Sequence, residues 1–85
     1  MISGSQMRAA RALLGIDQRE LAALSDLSLP TVQRMEASKG PVRGTVESLT
    51  KVVDALERSG IELLGENAPS AGCGRGVRLR KPAKK

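Results

Sequence analysis

Eighty-five residues with a net charge of +5 make one small domain, and a chain this short buries only about 60% of its unfolded surface. One cysteine (Cys73) and no histidine exclude an internal disulfide, a four-ligand zinc site and histidine-based catalysis, so neither metal nor cofactor is expected. Without Phe, Tyr or Trp the core is aliphatic and stacking on single-stranded bases is excluded, while no apolar run nears the roughly 20 residues of a membrane span. MISGSQMRAA also lacks the apolar stretch of a secretory signal, so a cytoplasmic, non-enzymatic protein is expected, supplementing its thin core by self-association.

The first element is a helix in SQMRAARALLG: Met7, Ala10 and Leu14 share one face, and Gly15 ends it. Asp17 and Glu20 form a D-x-x-E capping box that opens a second helix, QRELAALS, with Leu21 and Leu24 expected on its inner side. Asp26, Leu27 and Ser28 interrupt it, and Ser28 caps a third helix, LPTVQRMEA, where Pro30 is tolerated because first-turn amides lack intrahelical partners. SKGPVRG is a loop. Thr45 then caps a long helix whose expected apolar stripe is Val46, Leu49, Val52, Val53 and Leu56, ending at Gly60.

The chain then changes character. IELL (61–64) is β-compatible, and a connection containing Gly65, Gly72, Gly74 and Gly76 follows it. In GVRLR, Val77 and Leu79 alternate with Arg78 and Arg80, the period of a half-buried strand, so a β-ribbon is expected, the alternative being a disordered basic tail. Charge divides at the same place. Residues 1–64 hold eight basic and eight acidic side chains, whereas residues 65–85 hold six basic ones against Glu66 alone. A polyanionic partner follows, held in part by a basic end whose salt dependence should track the phosphates it neutralises. Residues 1–64 are therefore expected to be the binding domain, with residues 65–85 adding loop, strand and basic tail.

On a helical wheel of the third helix, Val32, Met35 and Glu36 fall on one side. Pro30 and Arg34 fall on the other, with Thr31 and Gln33 flanking them. An outward Pro-Thr-Gln-Arg face has no obvious packing role, but it suits base edges in a major groove, where Arg bonds guanine and Gln bonds adenine.

The stretch QRELAALSDLSLPTVQRMEA resembles the Cro and phage-repressor type of helix-turn-helix regulators, and the resemblance runs over residues 5–64. Ala22 stands at the small-residue position, Leu21 and Val32 at apolar core positions, and Glu36 at the end of the recognition helix. Asp26 departs from the pattern, standing where the left-handed turn residue is most often glycine.

The resemblance implies a mainly α fold: a four-helix phage-repressor-like domain with a short C-terminal β-ribbon. It implies an ion pair between Arg11 and Glu36, and double-stranded DNA as partner. Gln18 and Arg19 at the start of helix two, with Ser28, are expected against phosphate. Leu29 and Pro30 are expected against thymine methyls, with Leu29 equally suited to be a marginal core residue. Thr31, Gln33 and Arg34 are expected against bases, and Lys39 and Arg43 against the backbone or minor groove. Arg8, Lys51 and Arg58 are expected to be solvated. Homodimerisation is expected through Ile61, Leu63, Val77 and Leu79. The alternative is an antitoxin-type protein whose C-terminal segment grips a protein partner.

Overall fold

A computed structural model describes residues 2–64 and 76–80. The glycine-rich connection with Cys73 and the basic end 81–85 lie outside the described residues. Among those described, the order is α1 (Gly4–Leu14), α2 (Gln18–Ser25), α3 (Leu29–Glu36), α4 (Val46–Arg58), β1 (Ile61–Leu64) and β2 (Gly76–Leu79). The fold is mainly helical with one short antiparallel ribbon, and no described helix is long and apolar enough to cross a membrane.

Local chemistry sets each helix boundary. α1 begins one residue earlier than its apolar pattern suggests, because Ser3 and Gln6 form a capping box: Ser3 Oγ accepts from the Gln6 amide and Gln6 Oε1 from the Ser3 amide. Asp17 and Glu20 repeat the device on α2, while Ser28 and Thr45 cap α3 and α4. α1 and α2 end alike. The Gly15 and Asp26 amides reach back to Ala12 and Ala23, and those of Ile16 and Leu27 reach Arg11 and Ala22. Both closures need a left-handed residue, Gly15 at φ 71° and Asp26 at φ 58°.

Met7, Ala10, Leu21, Val32, Met35, Val52, Leu56 and Ile61 form the centre of the core. Each large side chain there contributes roughly 1.5–3 kcal/mol by leaving water. Two expected core residues lie outside it. On α2 the buried arc runs through Leu21, Ser25 and Ala22, so Leu24 falls about 100° away and is 43% exposed. The small side chains of Ala22 and Ser25 let neighbouring helices approach, and Ser25 Oγ donates to the Leu21 carbonyl at 2.6 Å. On α4 the arc centres on Val52; Val46 lies about 120° off it and is 80% exposed. Ile2 and Val42, each an isolated apolar residue in irregular chain, fill the core instead.

β1 and β2 pair in the register Ile61–Leu79, Glu62–Arg78, Leu63–Val77 and Leu64–Gly76. The outer face carries an Arg78–Glu62 ion pair at 2.7 Å. The inner face places β1 on α4 and β2 on α1, so the ribbon spans two helices rather than covering only the end of the long one.

Candidate nucleic-acid interface

The candidate surface is built on α2, α3 and the loop that follows. α3 is fixed from behind. Val32, Met35 and Glu36 are buried, and Glu36 is a carboxylate only 2% exposed. Arg11 meets it with both arms of its fork, Nε on Oε2 at 2.7 Å and Nη2 on Oε1 at 2.9 Å. Gln18 Nε2 adds a third donor to Oε1 at 3.0 Å. One carboxylate therefore ties α1, α2 and α3 together with both oxygens satisfied, as a buried charge requires. The hydrogen bond to Glu36 is the chief cause of an Arg11 pKa above its ordinary value.

Arg8 belongs to the same corner. Its guanidinium donates to the Glu36 main-chain carbonyl and to Ser5 Oγ, placing positive charge at the C-terminus of α3 where the helix dipole favours it. It makes these contacts while remaining exposed, so it is a solvated charge that also reaches the α3 terminus. Lys51 and Arg58 also have partners: Lys51 lies 3.6 Å from Asp26, and Arg58 lies 2.8 Å from Asp54. Both pairs are exposed and contribute little.

The opposite face of α3 is open. Pro30, Gln33 and Arg34 are exposed, and Gln33 and Arg34 make no side-chain hydrogen bond or ion pair with the described residues. Leu29 is half-buried. Thr31 and Ser28 join through their hydroxyls at 2.8 Å while Ser28 Oγ caps the Thr31 amide, which leaves one of the two hydroxyl hydrogens free to donate outward. Between the starts of α2 and α3 lies a shallow concavity of about 240 Å³, lined by Asp17, Gln18, Arg19, Leu29 and Gln33. Gln18 is drawn inward to Glu36, yet its amide keeps a second hydrogen and its backbone N–H heads a helix. Arg19 lines the concavity, and Lys39 and Arg43 are exposed cations in the loop after α3.

The outward side of α3 is legible from the helical wheel alone. Gln18 as the third donor to Glu36, Arg8 at the α3 terminus, and Gln6 emerge from the fold. Only Gln6 carried a local signal, since Ser3-x-x-Gln6 is itself a capping-box spacing. Comparison with protein families matches residues 7–63 to the helix-turn-helix family of the Cro/C1 type. A search of curated proteins finds no match.

Proposed function

The chain belongs to the Cro/C1-type helix-turn-helix family of DNA-binding regulators, and we propose that it is a sequence-specific member acting as a homodimer on a two-fold operator. The family binds double-stranded DNA and is generally non-enzymatic. The observation that carries the reading is the contrast across α3. Its inner edge is locked by Val32, Met35 and the Glu36 cluster, while Gln33 and Arg34 stand exposed on a rigid helix. A rigid, outward Gln-Arg pair matches adenine and guanine edges in a major groove.

In this assignment Arg34 and Gln33 read bases, and Leu29, Pro30 and Thr31 touch the groove wall. Gln18, Arg19, Ser28, Lys39 and Arg43 hold the phosphate backbone. Residues 1–64 are the binding domain, and residues 65–85 supply strand and basic end. Two copies are needed because one short helix touches few base pairs. A dyad places two such helices about 34 Å apart, one turn of DNA. The ribbon supports the pairing: each strand has an edge without a strand neighbour among the described residues, Leu79 is 41% exposed, and Leu63 and Val77 are half-buried. Ile61, expected beside them, is instead fully buried in the chain's own core and leaves the interface.

Selection from randomised duplex DNA tests the reading. A symmetric pair of half-sites is the expected product, and failure to enrich any sequence contradicts sequence-specific binding. Replacing Val77 and Leu79 together by Asp should yield monomers at low micromolar concentration. A variant that stays dimeric removes this strand from the interface.

A further inference from the structure

The loop between α3 and α4 carries two of the cations assigned to the DNA backbone, Lys39 and Arg43, yet belongs to neither helix. The chain's first described residues hold it. The Val42 amide donates to the Ile2 carbonyl at 3.0 Å, and the Gly4 amide donates to the Gly40 carbonyl at 3.3 Å. Ser3 and Pro41 face each other in an antiparallel bridge between these bonds. Ile2 and Val42 are both buried, so the two strands of this clasp are anchored in the core. The fit is close. A Cβ on Gly4 would sit 2.7 Å from the carbonyl oxygens of both Glu36 and Ser38, nearer than carbon approaches oxygen, and backbone cannot retreat as a side-chain tip can.

The clasp is joined to the ribbon by one side chain. Gln6 is 4% exposed. Its Oε1 accepts from the Ser3 amide at 2.9 Å, while Nε2 donates to the carbonyls of Leu64 at 3.0 Å and Gly76 at 2.9 Å. Leu64 and Gly76 are register partners on opposite strands, so Nε2 meets both only where the strands lie side by side. The link thus runs from the ribbon through Gln6 to the Ser3 amide, and through the Ile2–Ser3 peptide unit to the Val42 amide of the loop bearing Lys39 and Arg43.

We propose that residues 2–4 are positioning residues for DNA binding, a clasp that sets Lys39 and Arg43 against the phosphate backbone and is locked to the ribbon by Gln6. The proposal rests on the DNA-binding reading above. A fixed loop presents its cations without first losing conformational entropy, and because these cations meet phosphate, the clasp strengthens binding to all duplexes alike.

The test uses the full chain and three variants: Gly4→Ala, Gln6→Ala, and Gly44→Ala as a control in the same loop. At Gly44 an added Cβ meets only Ser48 Cβ at 3.9 Å, an ordinary approach. Binding to a selected duplex and to a random duplex is titrated across salt concentrations, with amide exchange followed at Val42. Gly4→Ala should weaken both duplexes by the same factor, on the order of tenfold, and lower the salt slope by about 0.9 for each phosphate no longer neutralised. Val42 should exchange faster, and adding Lys39→Ala with Arg43→Ala should weaken binding less in that background than in the parent. Gln6→Ala should shift the same readouts by less, and it carries the test alone if Gly4→Ala does not fold. Gly44→Ala should match the parent. A folded Gly4→Ala with the parent's affinity and slope overturns the clasp, as does an undiminished effect of the Lys39 and Arg43 substitutions within it. A parent that binds no duplex overturns the DNA-binding reading itself, and the clasp's role falls with it.

Discussion

The helix-turn-helix body and the ribbon are each gathered around one buried polar side chain, but of different kinds. In the body it is Glu36, a charge met by Arg11 and Gln18 and surrounded by three capped helices. At the ribbon it is Gln6, a neutral amide serving two short strands. A buried charge that loses its partner leaves the other charge stranded, whereas a missing amide leaves carbonyls that nearby water can reach. The body should therefore fail as a unit and the ribbon should open locally.

The largest expected effect breaks the first hub. Glu36→Ala should cost about 3 kcal/mol, the low end for a broken buried pair because Arg11 keeps some exposure to water. Thermal melting checks it, and an unchanged melting temperature would deny Glu36 this role. Arg11 is raised above its ordinary value by the Glu36 hydrogen bond, so its contribution is complete below that value and is lost only as pH rises through it. Raising the pH from about 7 to about 10 should thus leave this contribution intact, since ordinary arginine titrates above that range. A fall in stability over that range that disappears in Arg11→Ala would contradict this.

Next comes the second hub. Gln6→Ala should cost about 1 kcal/mol, the lower end for lost hydrogen bonds because the Leu64 and Gly76 carbonyls are only partly buried, and should speed amide exchange in β1 and β2 more than in α2 or α3. Uniform acceleration across the chain would mean that the ribbon and body open together.

The smallest effect compares two equivalent turns. Gly15 and Asp26 close their helices with the same hydrogen bonds, but only Gly15 adopts the left-handed conformation without steric cost. Asp26→Gly should therefore stabilise the fold by up to about 1 kcal/mol in chemical denaturation, the glycine's greater unfolded entropy offsetting part of the gain. Removing the pairing with Lys51 subtracts little, since Asp26 is nearly fully exposed. A destabilised Asp26→Gly would show that this ion pair outweighs the backbone strain.

These contrasts also separate what the sequence made legible from what it hid. Caps are local chemistry, so Asp17 with Glu20, Ser28, Thr45 and Gly15 marked the helices directly. Val77 and Leu79 marked the ribbon because alternation is itself a backbone period. Helical period alone does not say which arc meets a neighbour, and for that reason Leu24 and Val46 were expected inside while Ala22 and Ser25 took the buried positions. Ile2 and Val42 have no period to reveal them. For the site, the wheel separated Arg34 from Val32. Beyond the local Ser3-x-x-Gln6 box, the distant partners of Gln18, Gln6 and Arg8 lie 18 to 70 residues away, and no local pattern encodes those.

The central claim is that the open face of α3 reads base sequence while the locked face only holds it in place. Arg34→Ala tests this most directly, with binding measured on a selected duplex and on a random duplex at one salt concentration. The expected result is a loss of about 1–3 kcal/mol on the selected duplex, relaxed preference at one base pair per half-site, and little change on random DNA. Equal losses on both duplexes would make Arg34 a backbone contact and contradict base reading by this residue.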